Sequence, residues 1–161
     1  MSSLKKIVKS FVSQISKNAS AFPYMTNNYK SFDEEKDTVY YSGPFWEEAE
    51  VEAAINVFVG GKWLSAGEEV RKFEIKFSKM FGQKHSLMVN SGSSANLVMI
   101  AALKKYFGWK DNSEIIVSCV GFPTTINPII QNNLRPVFVD IDFEDLNWKI
   151  DDIENLINEK T

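Results

Sequence analysis

The sequence predicts an α/β protein in which parallel strands are flanked by helices and preceded by further N-terminal helices. Short apolar runs alternate with helical segments three times between His85 and Asn158, and successive strand-helix units of this kind build a parallel sheet with helices on its faces. The segments before His85 instead carry apolar residues at helical spacing. Composition agrees, since 44% hydrophobic and 24% charged residues in a chain of 161 argue against disorder, collagen-like repeats and coiled coil. That length suits one ordinary domain better than two.

Leu4, Ile7, Val8, Phe11, Val12 and Ile15 recur at helical spacing, with Lys5, Lys6, Lys9 and Lys17 on or beside the other face, which predicts an amphipathic helix in need of a surface. A packing arm laid on the body or on a second subunit fits this pattern, as do a membrane-surface helix and a targeting segment, though the absence of arginine weakens the last. Residues 1–32 hold five lysines and no acid, so a net charge of −3 leaves −8 on the remainder. From Asn18 to Gly43 the chain is polar and aromatic without a sustained period and reads as an extended connection. The organisation expected is therefore an arm and connection over 1–43 and an α/β part over 44–161.

Phe45–Phe58 reads as a helix with glutamates in its first turns, where they suit the positive end of the helix dipole, and Gly60-Gly61 stops it. Leu64–Gly67 leads into a second helix, Glu68–Phe81, with Val70, Phe73, Phe77 and Met80 or Phe81 on one face and Gly82 as its C-cap. The strand-helix units follow: His85–Val89 with Ser93–Phe107, Glu114–Ser118 with Thr124–Asn132, and Pro136–Ile141 with Ile150–Asn158. Right-handed crossovers place the strand ends and the following helix starts along one edge, where open α/β sheets take their ligands.

Several chemistries are excluded at the outset. Cys119 is the single cysteine and His85 the single histidine, so neither an internal disulfide nor a Cys/His zinc site is available, and no metal is expected. No stretch approaches the roughly 18 apolar residues of a membrane span, and no signal peptide is visible, so a cytoplasmic setting is expected. No nucleic-acid partner is expected either.

The loop Asn90-Ser91-Gly92-Ser93-Ser94-Ala95-Asn96-Leu97 places a glycine and three serines where a helix begins. Unpaired N–H groups and the helix dipole suit such a turn to a phosphate, with the Ser93 or Ser94 hydroxyl as a further donor and glycine allowing close approach. Serine and asparagine are equally the preferred N-caps of helices that bind nothing, and the pattern by itself leaves the two readings level. Neither G-x-G-x-x-G nor the Walker loop is present, which tells against a generic nucleotide-binding domain.

The loop after the second strand, Cys119-Val120-Gly121-Phe122-Pro123-Thr124-Thr125, lies beside the first by topology. Phe122 suits a flat ring bound above the phosphate, or else a place in the core with the threonines as caps. Asp140 and Asp142 share one side of an extended segment, but two carboxylates are too few for a metal and suit turns or caps. Cys119 reads as a small buried residue and His85 as a strand-start residue, and no Ser/His/Asp arrangement is assignable.

Four blocks together resemble a known family: Gly61–Gly67, Asn90–Leu97, Gly121–Pro128 and Pro136–Asp142. In order and spacing they are similar to the sugar aminotransferases of the DegT/StrS type, fold-type-I pyridoxal-phosphate (PLP) enzymes that act on nucleotide-linked keto sugars, over about Tyr41–Thr161. The resemblance implies the N-terminal part of the PLP-binding large domain. It implicates Gly92 and Ser93 in holding the cofactor phosphate and Phe122 in stacking on the pyridine ring, with Thr124 and Thr125 as weaker candidates near it.

Asn-Ser-Gly-Ser-Ser-Ala-Asn-Leu with Gly-Phe-Pro-Thr-Thr and a following Asn-Pro looks most like the branch of sugar-nucleotide C-3 dehydratases. That branch carries histidine where aminotransferases carry the Schiff-base lysine, and keeps its cofactor as pyridoxamine phosphate. The resemblance implies a homodimer with Gly60–Gly67 near the partner, a nucleotide-linked keto-deoxysugar as substrate and, on the dehydratase branch, an iron–sulfur reductase as partner. In this family the aspartate that pairs with the pyridine nitrogen, the lysine or histidine and a small domain all follow the third strand. Thr161 precedes them, and no lysine here matches the Schiff-base position, Lys62 included. The chain is therefore expected to be the N-terminal part of a longer enzyme, with no catalytic residue of its own and inactive as it stands. A non-catalytic remnant or interaction module is the alternative.

Overall fold

A computed structural model of the chain describes residues 3–17, 33–36, 47–60, 63 and 65–161. Its elements are α1 (Ser3–Ser16), α2 (Glu48–Gly60), α3 (Glu68–Met80), α4 (Gly92–Phe107), β1 (Glu114–Ser118), α5 (Pro123–Gln131), β2 (Arg135–Val139) and α6 (Ile150–Leu156). The chain divides within α3 into two compact units, Met1–Phe73 and Glu74–Thr161. The expected boundary at 43/44, nearly all of the connection over 18–43, Phe45, and Gly61, Lys62 and Leu64 of the first family block lie outside the described residues.

In the first unit α1 packs on α2, burying Val8 and Val12 against Val51 and Ile55. The Ser16 hydroxyl bonds the Glu48 carboxylate. Helix α2 thus supplies a surface for α1, and the contact uses only part of the apolar arc of α1, since Leu4, Ile7 and Phe11 stay exposed. Helix α2 opens with Glu48 and Glu50 in its first turn and runs through Gly60.

The second unit holds a two-stranded parallel sheet in which Glu114–Ser118 pairs in register with Arg135–Val139. Parallel strands need a crossover, and α5 supplies it. Ile100 of α4, Val117 of β1, Ile129 of α5 and Leu134 form the core, with Trp109, Ile115 and Ile126 packed against it. Burying each of these aliphatic side chains stabilises the unit by about 1.5–3 kcal/mol.

Three chain reversals close the helices. Gly82 (φ +63°) ends α3, with Gln83 N–H donating to the Ser78 carbonyl at 2.8 Å, as the C-cap reading expects. Gly108 (φ +68°) ends α4, with Trp109 N–H donating to Lys104 at 3.0 Å. Asn133 (φ +56°) does the same for α5, and Leu134 N–H donates to Ile129 at 2.9 Å as the chain turns into β2. Further on, Glu114 N–H at the start of β1 donates to the Lys160 carbonyl at 2.7 Å, and Asn158 Nδ2 to the Glu114 carboxylate at 2.7 Å.

The structure corrects one expected strand. His85–Val89 is irregular, and among the described residues the sheet has two strands where the sequence predicts three. The segment is held by Glu74 of α3 instead of a ladder: Ser86 Oγ donates to the Glu74 carbonyl at 2.7 Å and Met88 N–H to its carboxylate at 2.9 Å. With a side chain occupying that backbone donor, Leu87 and Met88 are left exposed and His85 starts no strand. The remaining elements agree with the predicted ones to within a few residues, and Ile141 forms an isolated antiparallel bridge with Trp148 beyond β2.

Candidate functional site

The candidate site is built where α4 and α5 begin. Helix α4 starts on Ser91, whose extended backbone (φ −162°, ψ 162°) and side chain make it the N-cap; its Oγ accepts from Ser94 N–H at 3.1 Å and lies 3.2 Å from Ser94 Oγ. Capping is thus assigned to one serine of the three. Gly92 and Ser93 follow at the first two helical positions, both exposed. Among the described residues no acceptor takes their N–H groups, and none pairs with the Ser93 hydroxyl. Two backbone donors and one hydroxyl therefore face outward at the positive end of a 16-residue helix.

Helix α5 follows β1 through a tight bend. Cys119 N–H donates to the Val139 carbonyl at 3.0 Å, continuing the ladder, and Val120 N–H donates to Ser118 Oγ at 3.1 Å. Phe122 is the N-cap residue, extended at φ −81° and ψ 142°, and Pro123 stands at the first helical position, where a missing N–H costs nothing. A phenylalanine cannot cap with its side chain, and the residue is 60% exposed. The structure thus removes the alternative of Phe122 as a core residue. Thr124 is half-buried, and Thr125 is exposed with its N–H donating to the Phe122 carbonyl at 2.9 Å.

The two helix starts are brought together by a direct bond: Asn96 Nδ2 donates to the Thr124 carbonyl at 3.2 Å. Gly92, Ser93 and Phe122 consequently sit at the starts of two helices joined within their first two turns. The sequence reading assigns no role to Asn96, although the residue lies inside the motif.

Asp140 and Cys119 occupy the ends of the paired strands. Asp140 Oδ1 accepts from Ile141 N–H at 2.8 Å and from Cys119 Sγ at 3.4 Å. The Ile141 amide first, then the thiol, and a smaller attraction from Lys149 hold the Asp140 carboxyl below the ordinary range. Desolvation first and then Asp140 push the Cys119 thiol upward. Cys119 is exposed, not buried as the sequence suggests, because it follows the last paired residue of β1 at the bend. Asp142 is a turn former, its Oδ1 accepting from Glu144 N–H at 2.7 Å. Among the described residues no group of three potential ligands could hold a metal, and no helix is long and apolar enough to cross a membrane.

Comparison with known proteins places these features in context. The DegT/DnrJ/EryC1/StrS aminotransferase family matches residues 46–161. The GDP-4-keto-6-deoxy-D-mannose 3-dehydratase of Yersinia pseudotuberculosis is 42% identical over 118 residues, 72% of this chain and 30% of that protein. The dTDP-4-dehydro-2,6-dideoxy-D-glucose 3-dehydratase of Saccharopolyspora spinosa is 40% identical over 115 residues, 69% of this chain and 24% of that protein. Among solved structures, the E. coli GDP-4-keto-6-deoxy-D-mannose-3-dehydratase with bound hydrated PLP superposes with a TM-score of 0.68 at 39% identity, over 74% of this chain and 31% of that one. The chain thus spans about 30% of the length of such relatives.

Proposed function

This chain belongs to the DegT/DnrJ/EryC1/StrS aminotransferase family, and from that premise we propose that it forms the cofactor-holding part of a PLP-dependent enzyme that modifies a nucleotide-linked keto-deoxysugar. The Gly92 and Ser93 amides and the Ser93 hydroxyl take the cofactor phosphate, and Phe122 covers its ring. The observation that carries this reading is the pairing of outward donors at the start of α4 with an exposed aromatic at the start of α5, joined through Asn96 and Thr124.

The residues present fit the group. A phosphate monoester needs several short donors without a competing carboxylate, and the helix start offers them with its dipole aligned. A pyridine ring needs an apolar face, and Phe122 presents one. When bound, the cofactor supplies an electron-withdrawing ring that stabilises negative charge on a substrate carbon. The contribution of this chain is to bind and orient: Ser93 and the two amides fix one end, and the Phe122 ring keeps water from one face of the other. No residue here is assigned to proton transfer.

C-3 dehydration is the preferred chemistry over transamination, supported by 42% and 40% identity to two sugar-nucleotide 3-dehydratases. On this reading the enzyme works as a homodimer, takes the cofactor as pyridoxamine phosphate and draws electrons from an iron–sulfur reductase. Deoxysugar or surface polysaccharide synthesis is the process served.

The test is PLP affinity after Ser93→Ala and Gly92→Val. A Cβ at Gly92 meets no atom within 4 Å, so the valine obstructs an approaching ligand without straining the fold. Ser93→Ala should weaken binding about tenfold, the worth of one hydrogen bond to a charged group, and Gly92→Val more. Unchanged affinity in both variants overturns the assignment.

A further inference from the structure

Helix α5 contains a defect placed by its own sequence. Pro128 lies in its second turn and has no N–H, so the Thr124 carbonyl, four residues earlier, receives no α-helical hydrogen bond. A proline ring in a helix interior also crowds the carbonyl four residues before it. A half-buried carbonyl without a donor is costly, and the donor comes from outside the helix: Asn96 Nδ2, 28 residues earlier in the chain, at 3.2 Å.

We infer that Asn96 is a positioning residue for the cofactor, and that the vacancy created by Pro128 is what lets it act. The inference rests on the site proposed above. Asn96 stands three residues after Ser93 on α4, and Thr124 two residues after Phe122 on α5. A single bond therefore fixes the phosphate donors of one helix relative to the aromatic cover of the other. An ordinary residue at 128 would close the helix ladder and leave the Thr124 carbonyl already satisfied. Proline opens one acceptor, and asparagine is short enough to fill it with a fixed geometry. The two residues act as a pair, although neither touches the cofactor.

The pair makes the role separable from stability. In the full chain, Asn96→Leu keeps the branching at Cγ and removes the donor, stranding the Thr124 carbonyl; both thermal stability and PLP affinity should fall, the latter about tenfold. Affinity for inorganic phosphate, which needs α4 alone, should stay within about twofold. Adding Pro128→Ala supplies a helical donor to Thr124, so the double variant Asn96→Leu/Pro128→Ala should recover stability but not PLP affinity. The induced circular dichroism of bound PLP should stay diminished in it as well. Asn96→Asp, which keeps the shape and also lacks the donor, should match Asn96→Leu in the ratio of PLP to phosphate affinity.

PLP affinity that is unchanged in Asn96→Leu, or that returns together with stability in the double variant, overturns the positioning role and leaves the site assignment standing. A wild-type chain that binds neither PLP nor phosphate overturns the site assignment and this inference with it.

Discussion

At the scale of single residues, chemistry in this chain is set by who donates to whom. Cys119 and Asp140 are the clearest case, two exposed side chains whose properties are tied by one contact of 3.4 Å. Desolvation favours the protonated thiol, and donation to the Asp140 carboxylate acts in the same direction. Alkylation of Cys119 by iodoacetamide should therefore show its pH inflection above that of a free thiol, and Asp140→Asn should bring the inflection down while leaving part of the shift. An inflection at the ordinary position in the wild type would show that the contact does not persist in solution. The positions of Gly92, Ser93 and Phe122 at two helix starts were legible in the sequence, because the apolar runs on either side bound the loops that hold them. Cys119 was misread as buried because residue type predicts burial only on average, and one step past the end of a strand decides it. Asn96 was passed over because its partner is a backbone carbonyl on another helix. The signal that could have found it is Pro128, four residues after Thr124, which announces an unfilled acceptor.

At the scale of elements, the strongest sequence signals are those that stop a helix. Gly82 and Gly108 take up φ +63° and +68°, and a side chain there is strained whatever the space around it, even though a Cβ at either meets no atom within 4 Å. Gly108→Ala should therefore cost about 1–2 kcal/mol. A shifted urea midpoint with an unchanged slope would measure it, and a midpoint that does not move would mean α4 can end without this turn. Helical periodicity locates α1, α3, α4 and α5 to within two residues, and β1 falls at its expected bounds, because apolar spacing and the residues that stop an element are properties of the segment itself. The segment His85–Val89 shows where that logic stops. Its residues are apolar enough for a strand, but pairing is a property of two segments, and among the described residues its Met88 amide is held by the Glu74 carboxylate and not by a neighbouring strand.

At the scale of the whole molecule, the apolar residues outnumber the buried places among the described residues. The sequence predicts an apolar face on α3, and the face is there, yet Phe77, Met80 and Phe81 remain exposed, the last two at 78% and 58%. Leu97, Val98 and Phe107 of α4 are exposed as well, while the buried core of this unit draws single residues from α4, β1 and α5. Apolar surface of this kind gains free energy by contact, at roughly 25 cal/mol per Å² removed from water, so the chain by itself should associate as its concentration rises. The charge distribution offers a competing route to the same observation, because residues 1–32, with five lysines and no acid, are attracted to the net charge of −8 on the remainder of another copy. Salt separates the two. Association through charges is screened and should dissolve as salt is added, whereas apolar association persists or strengthens. Sedimentation of the isolated chain should therefore show a mass that grows with concentration and is not reduced by salt, accompanied by binding of an apolar dye. A monomer at all concentrations with one sharp thermal transition would contradict this and would mean that the exposed residues of α3 and α4 find cover within the chain.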